Sequence, residues 1–316
     1  MPDTIELVVE DSAKIAAEDV AAIENLIRYY LSAADEFKSI LNHAPGNHLQ
    51  RMAEQGQLTK KLLGPRTKAI IIETAEGLYA SDPEDYCVGW MLRNNWPYIA
   101  AQINMLKGLV DAGSRVLTVG AHIGTHAIPL ARVCLQVDAV EANPVTFDLL
   151  EMNIQLNGIS NCDTHRVAAN DKKEGVRFLL NRANSGGSKR KPLHDNPMYN
   201  YDHPGEIVVP GMPLDALLGD RVYDLIVMDI EGSEYFALKG MAGILSKAKH
   251  LVMEFLPHHL RNVSAVTVEE LLETLPAFGS LTVPSLNKTV GREAFSEVLH
   301  YLYDNDIGDD GIIFSR

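Results

Sequence analysis

"VLTVGAHIGTHAIPLA", residues 116–131, is the longest stretch of the chain without an Asp, Glu, Lys or Arg. It opens on a β-type apolar run, Val116 to Val119, breaks at Gly120 and Gly124, and continues as a helix-like segment. A strand that breaks on glycine and reverses into a helix leaves room for a ligand over the turn, because glycine lets the backbone approach closely.

The spacing narrows the ligand. Dinucleotide enzymes use G-x-G-x-x-G, with backbone amides at a helix start holding a pyrophosphate. Here His122 stands where the middle glycine would be, and the next glycine comes four residues after Gly120, giving G-x-x-x-G. Glu141 stands at the expected end of the second strand, where a carboxylate can accept from both hydroxyls of a ribose. That alone suits NAD as well as S-adenosylmethionine. Joined to G-x-x-x-G, it points to an adenosyl ligand without a pyrophosphate.

Outward from this turn, apolar runs alternate with helical stretches. "VDAVEANP" (137–144) predicts a strand followed by a helix with Asn143 at the N-cap and Pro144 at its first position, closing at Asn157-Gly158. Further strands are expected at 164–169, 223–229, 250–255, 279–285 and 311–316, with helices from about Thr125, from about Glu234 and over 292–303. Such alternation gives an α/β fold on a parallel sheet. Upstream, Val20, Ile23, Ile27, Tyr30, Ala34, Phe37 and Leu41 form one apolar stripe on a helix over 12–42. That stripe packs on the rest of the chain or pairs with a second copy as a homodimer. Residues 50–110 read as mainly helical with a strand at 68–77, and "NSGGSKRK" (184–191) reads as a mobile loop.

The glycine turn, "VEANPVTFDLLEMNIQLNG" (140–158), "NSGG", "LIVMDIEGSEYFALKGM" (225–241) and "VMEF" (252–255) together resemble the FkbM-type S-adenosylmethionine-dependent methyltransferases. The resemblance covers about residues 80–316. It implies a class I methyltransferase fold, Rossmann-like, with a seven-stranded, mainly parallel sheet and a reversed final hairpin. The domains expected are a helical N-terminal extension or lid over 1–80 and an S-adenosylmethionine-binding domain over 81–316. The activity implied is O-methylation of a hydroxyl on a sugar, natural product or similar metabolite. An N-methyltransferase of the same fold and a non-catalytic scaffold are the alternatives. Thr118, Gly120, Ala121, His122, Ile123, Gly124, Glu141, Ala142, Asn143 and Asp229 are the expected cofactor contacts. Two of these depart from the family: Thr118 stands where an aspartate is usual, and His122 where an asparagine is. Threonine supplies no charge, which lowers the expected affinity for the cofactor.

Methyl transfer needs the acceptor held in line with the methyl group, and a hydroxyl acceptor also needs a base. Such groups belong at the carboxyl ends of parallel strands. Asp229 and Glu231 in "DIEGSE", and His258 in "LPHH", are the catalytic candidates, with Asp229 foremost. Glu234 suits the following helix start better, and His126 suits packing. Asp229, Glu231, Glu254 and His258 also offer donors for Mg²⁺, but no spacing is diagnostic and no metal is assigned. Trp96 or Tyr98 could close over the site, although their aromatic neighbourhood also suits core packing.

Composition bounds the rest. Asp3, Glu6, Glu10 and Asp11 exclude a signal peptide in the quoted sequence. Three widely spaced cysteines suit a reduced, cytoplasmic protein. A net charge of −14 argues against nucleic acid as partner, and no apolar run is long enough for a membrane. Against this trend, residues 172–191 carry seven Lys or Arg and a single acid, Glu174. They are either a solvated loop or a funnel for an anionic small-molecule acceptor.

Overall fold

The computed structural model describes residues 48–64, 66–94 and 97–316, without the side chains of 48 and 97–99. The helix expected over 12–42, its pairing with a second copy, and the Trp96 and Tyr98 side chains lie outside the described residues. The chain divides into two compact units, Met1–Arg51 and Met52–Arg316. All that follows concerns the second. Among the described residues, no helix is long and apolar enough to cross a membrane.

Its first strands, β1 (Ile70–Thr74) and β2 (Gly77–Ser81), form an antiparallel hairpin, in a stretch whose sequence reads as mainly helical with one strand. Next come β3 (Arg115–Val119), β4 (Gln136–Glu141), β5 (Cys162–Arg166), β6 (Ala168–Ala169), β7 (Glu174–Leu180), β8 (Lys189–Arg190) and β9 (Gly205–Met212). β10 (Leu225–Met228), β11 (His250–Phe255), β12 (Ser280–Val283), β13 (Lys288–Gly291) and β14 (Asp309–Ser315) complete the set. The main sheet runs β13-β12-β14-β11-β10-β3-β4-β5. β11, β10, β3, β4 and β5 are parallel, and β14 enters antiparallel between β11 and β12. This is the expected seven-stranded sheet with its reversed hairpin, extended by an eighth strand, β13, at the edge.

Central strands of such a sheet are covered on both faces, so they read as unbroken apolar runs. All four residues of β10 are buried. Because side chains alternate, Leu117, Val119, Ile226 and Met228 enter one core, while Val116, Leu225 and Val227 enter the other. The helix expected from Thr125 is short, Ala127–Ala131, and wholly buried. The helix Pro144–Leu156 starts as expected, with the Asn143 side chain accepting from Val145 N–H.

The "NSGGSKRK" segment is a packed element and not the expected mobile loop. Ser185–Gly187 form a short 3-10 turn, and Lys189 and Arg190 pair with β7 in a second, four-stranded sheet ordered β6-β9-β7-β8. Val176, Phe178, Val209 and Ala168 give that sheet its own small core. Several of the basic residues are thereby engaged. Arg177 and Lys191 meet Glu206, Arg190 bonds to Asn170, and Lys189 turns inward.

Candidate active site

The carboxyl ends of β3, β4 and β10 meet at the glycine turn. Gly120 N–H and Ala121 N–H both donate to the Val140 carbonyl at 2.9 Å, and Asp229 N–H donates to the Val119 carbonyl at 3.0 Å. Gly120 has φ +83°, and a Cβ there would lie 1.8 Å from the Asp229 carbonyl oxygen. Only glycine fits so close an approach. Two non-glycine residues at the site also take left-handed backbone, His122 (φ 52°) and Glu231 (φ 56°). Such strain costs about 1–3 kcal/mol per residue and persists only where the surroundings enforce it.

Glu141 is buried and holds the turn from beneath. Its carboxylate accepts from His122 N–H at 2.7 Å, Asn143 N–H at 2.7 Å and the Thr146 hydroxyl at 3.0 Å. The Ala142 N–H also acts on this carboxylate. Burial raises its pKa, and the backbone donors oppose that rise. On the other side, His122 Nε2 lies 2.6 Å from Ser185 Oγ, which donates to Asp85 Oδ2 at 2.5 Å. Burial lowers the His122 pKa to about 3 and raises that of Asp85 to about 6. The imidazole is therefore neutral at pH 7, a hydrogen-bonding strut and not a charge.

Two cavities flank these strand ends. The first is lined by Gly120, His122, Glu141, Ala142, the apolar Val140, Val167 and Phe178, and Ser185 to Ser188 less Gly187. Its mix of an apolar slot, a buried carboxylate and a close-approach glycine suits an adenosyl group better than a pyrophosphate, since among the described residues no Lys lines it and Arg190 is its one Arg. The second, of about 310 Å³, is lined by Gln102, His122, His126, Asn184, Asp229, Glu231 and Asp310 among others, with no Lys or Arg among the described residues. Asp229 lines both.

Behind Asp229 lies a buried cluster of charge. Glu231 Oε2 is 2.8 Å from Lys189 Nζ and 3.3 Å from His259 Nε2, and His259 Nδ1 is 3.3 Å from Glu254 Oε2. Burial, and then Glu231 and Glu234, push the Asp229 carboxyl well above its usual range, while Lys189 pulls it back. Glu254 is raised for the same reasons, burial first and Asp229 next. Burial also lifts Glu234 to about 7. A carboxylate so raised is a stronger base when it does ionise.

Placement of the expected residues is uneven. Gly120, His122, Glu141, Ala142 and Asp229 line the first cavity, and Glu231 joins Asp229 at the second. Asn143 holds the helix start, while Ala121, Ile123 and Gly124 shape the turn from within the core. Thr118 is buried, its hydroxyl donating at 3.5 Å to the Asp138 carbonyl, and lines neither cavity. His258 bonds through Nδ1 to the Tyr199 hydroxyl at 3.0 Å, and it is His259 that meets the carboxylates. Lys189, His259, Ser185 and Asp85 escape a sequence reading because β8 and the 3-10 turn carry two of them inward from a run that looks solvated. His259 differs from its neighbour only in which way a short helix turns it.

The model of the family described as the methyltransferase FkbM domain matches residues 118–305, more than half of the chain. Among solved structures the chain is similar to methyltransferase FkbM from Methylobacillus flagellatus KT, at 16% identity over 66% of this chain and 44% of that one, TM-score 0.40. It is similar to wild-type Trm5b from Pyrococcus abyssi at 15% identity over 67% and 47%, TM-score 0.38. For M. jannaschii TYW2, in complex with AdoMet, the identity is 18% over 60% and 63%, TM-score 0.36. The chain thus spans about half the length of the first two of these structures. No curated protein matches it. On the match over residues 118–305, the chain belongs to the FkbM methyltransferase family.

Proposed function

We propose that the chain transfers a methyl group from S-adenosylmethionine to a hydroxyl oxygen of a small acceptor. The observation that carries this reading is Asp229, a residue that lines both the slot suited to an adenosyl group and the adjoining polar cleft. When bound, the sulfonium supplies an electrophilic methyl. Glu141 would accept a ribose hydroxyl, and the glycine turn would let the ligand approach the backbone. Asp229 would take the acceptor's proton as its oxygen attacks, and Glu231 would orient the acceptor in the cleft.

A second reading draws on one observation. Among the described residues, Asp229, Glu231 and Asp310 line the cleft and no Lys or Arg does, which favours a neutral or cationic acceptor over an anionic one. An amine acceptor would make this an N-methyltransferase, in which the carboxylates hold the ammonium form before its proton leaves.

Calorimetric titration with S-adenosylhomocysteine and, separately, NAD tests the cofactor. Binding of the former alone is expected; binding of neither would bring the non-catalytic scaffold forward. Asp229→Asn is expected to keep cofactor affinity and lose turnover by roughly 100-fold or more. Unchanged turnover would remove Asp229 from the mechanism.

A further inference from the structure

Lys189 is an unusual residue to bury, since an ammonium is compact and strongly hydrated. Its side chain is only 7% exposed. The ammonium lies 2.8 Å from Glu231 Oε2, 3.5 Å from His259 Nε2 and 5.1 Å from the centre of the Tyr199 ring. His259 Nδ1 faces Glu254 at 3.3 Å. With its proton on Nδ1, donated to Glu254, His259 turns the Nε2 lone pair toward Lys189, and the ammonium lies between that lone pair and Glu231 Oε2. That is the arrangement of a metal-ligating histidine, one ring nitrogen on the cation and the other N–H on a carboxylate. Glu231, Glu254 and His259 place ligand atoms within 4.8 Å of one another.

We propose that Lys189 is the resident cation of a carboxylate–histidine–cation triad, occupying the place where these residues would otherwise bind a divalent ion. A divalent ion and an ammonium cannot share that space, because like charges a few ångströms apart repel strongly in a buried site. Lys189 is thus a positioning residue. It fixes Glu231, in its left-handed backbone, at the edge of the cleft, and it makes a metal unnecessary there. The inference rests on the proposed methyl transfer only for what Glu231 does; the triad is tested without turnover.

The test is titration of the purified full chain with manganese(II) chloride alone, followed by loss of the free-ion paramagnetic resonance signal. Binding of S-adenosylhomocysteine is measured in parallel, so failure of the cofactor reading is seen separately. Wild type and Lys189→Arg are expected to leave the ion free. Lys189→Ala is expected to bind one equivalent, at least roughly tenfold more tightly than wild type, and Lys189→Ala with His259→Ala to lose it. Lys189→Gln repeats the experiment should the alanine variant not fold. One equivalent bound by wild type as tightly as by Lys189→Ala would overturn the proposal and make the cluster a metal centre. A folded lysine-free variant that binds no manganese would overturn it too, because Glu231 and His259 would then not converge on a cation.

Discussion

Gly120 and His122 lie two residues apart in one turn, yet substitution at each tests a different bond. At Gly120 a methyl group would meet the Asp229 carbonyl. Gly120→Ala should therefore cost roughly 3 kcal/mol or more and remove cofactor binding, read as a fall in Tm together with loss of S-adenosylhomocysteine binding. At His122 the contact to Glu141 comes from the backbone. His122→Asn tolerates the left-handed backbone and should hold cofactor affinity within roughly threefold, whereas Glu141→Gln, which sets an amide nitrogen against backbone donors, should lose at least roughly tenfold. Retained affinity in Glu141→Gln would show that this carboxylate only braces the turn. These residues were legible because glycine spacing and a carboxylate at a strand end have local signatures. Lys189 has none, since its partners Glu231 and His259 lie far along the chain, and nothing local marks His259 out from His258.

Between elements, two asparagines one turn apart on the helix Pro144–Leu156 and its cap do the work of a strand. Asn153 accepts from Ala80 N–H at 2.6 Å and donates to the Ala80 carbonyl at 3.1 Å, and it also donates to the Ile123 carbonyl at 2.8 Å. Asn157 accepts from Leu78 N–H and donates to its carbonyl. The edge of β2 is thus paired by side chains, which ties the hairpin to the glycine turn. Asn153→Leu leaves three buried backbone groups without partners and should cost roughly 3 kcal/mol or more in denaturant unfolding; a cost below about 1 kcal/mol would mean water replaces the amide. The parallel strands were readable as apolar runs and the Asn143-Pro144 helix start by its capping residues. β1 falls within the strand expected at 68–77 and β6 within that expected at 164–169, whereas β2, β7, β8 and β9 were not legible, because their stability comes from partners that no local pattern announces.

For the molecule as a whole, buried acids set how stability responds to pH. Glu234, at about 7 against an ordinary 4.5, and Asp85, at about 6 against 3.8, are raised by burial. A folded state that holds its proton more tightly than the unfolded chain binds more protons, so the contribution of these two acids to stability is greatest below their ordinary values. That contribution falls as pH rises through 3.8–6 for Asp85 and 4.5–7 for Glu234. Glu234→Gln keeps an acceptor for Ile230 N–H. It should flatten the upper window and stabilise the protein at pH 8 by roughly 2–3 kcal/mol, measured as Tm against pH. A profile parallel to the wild type's would place the titration elsewhere.

The Asp85–Ser185–His122 strut has a consequence in time as well as in space. A ribosome delivers Asp85 first, the glycine turn next, Ser185 later, and Asp229 and Asp310 of the cleft later still. Contacts so distant in sequence close slowly and late. A nascent chain therefore possesses the glycine turn well before it possesses the residues that complete the two cavities around it.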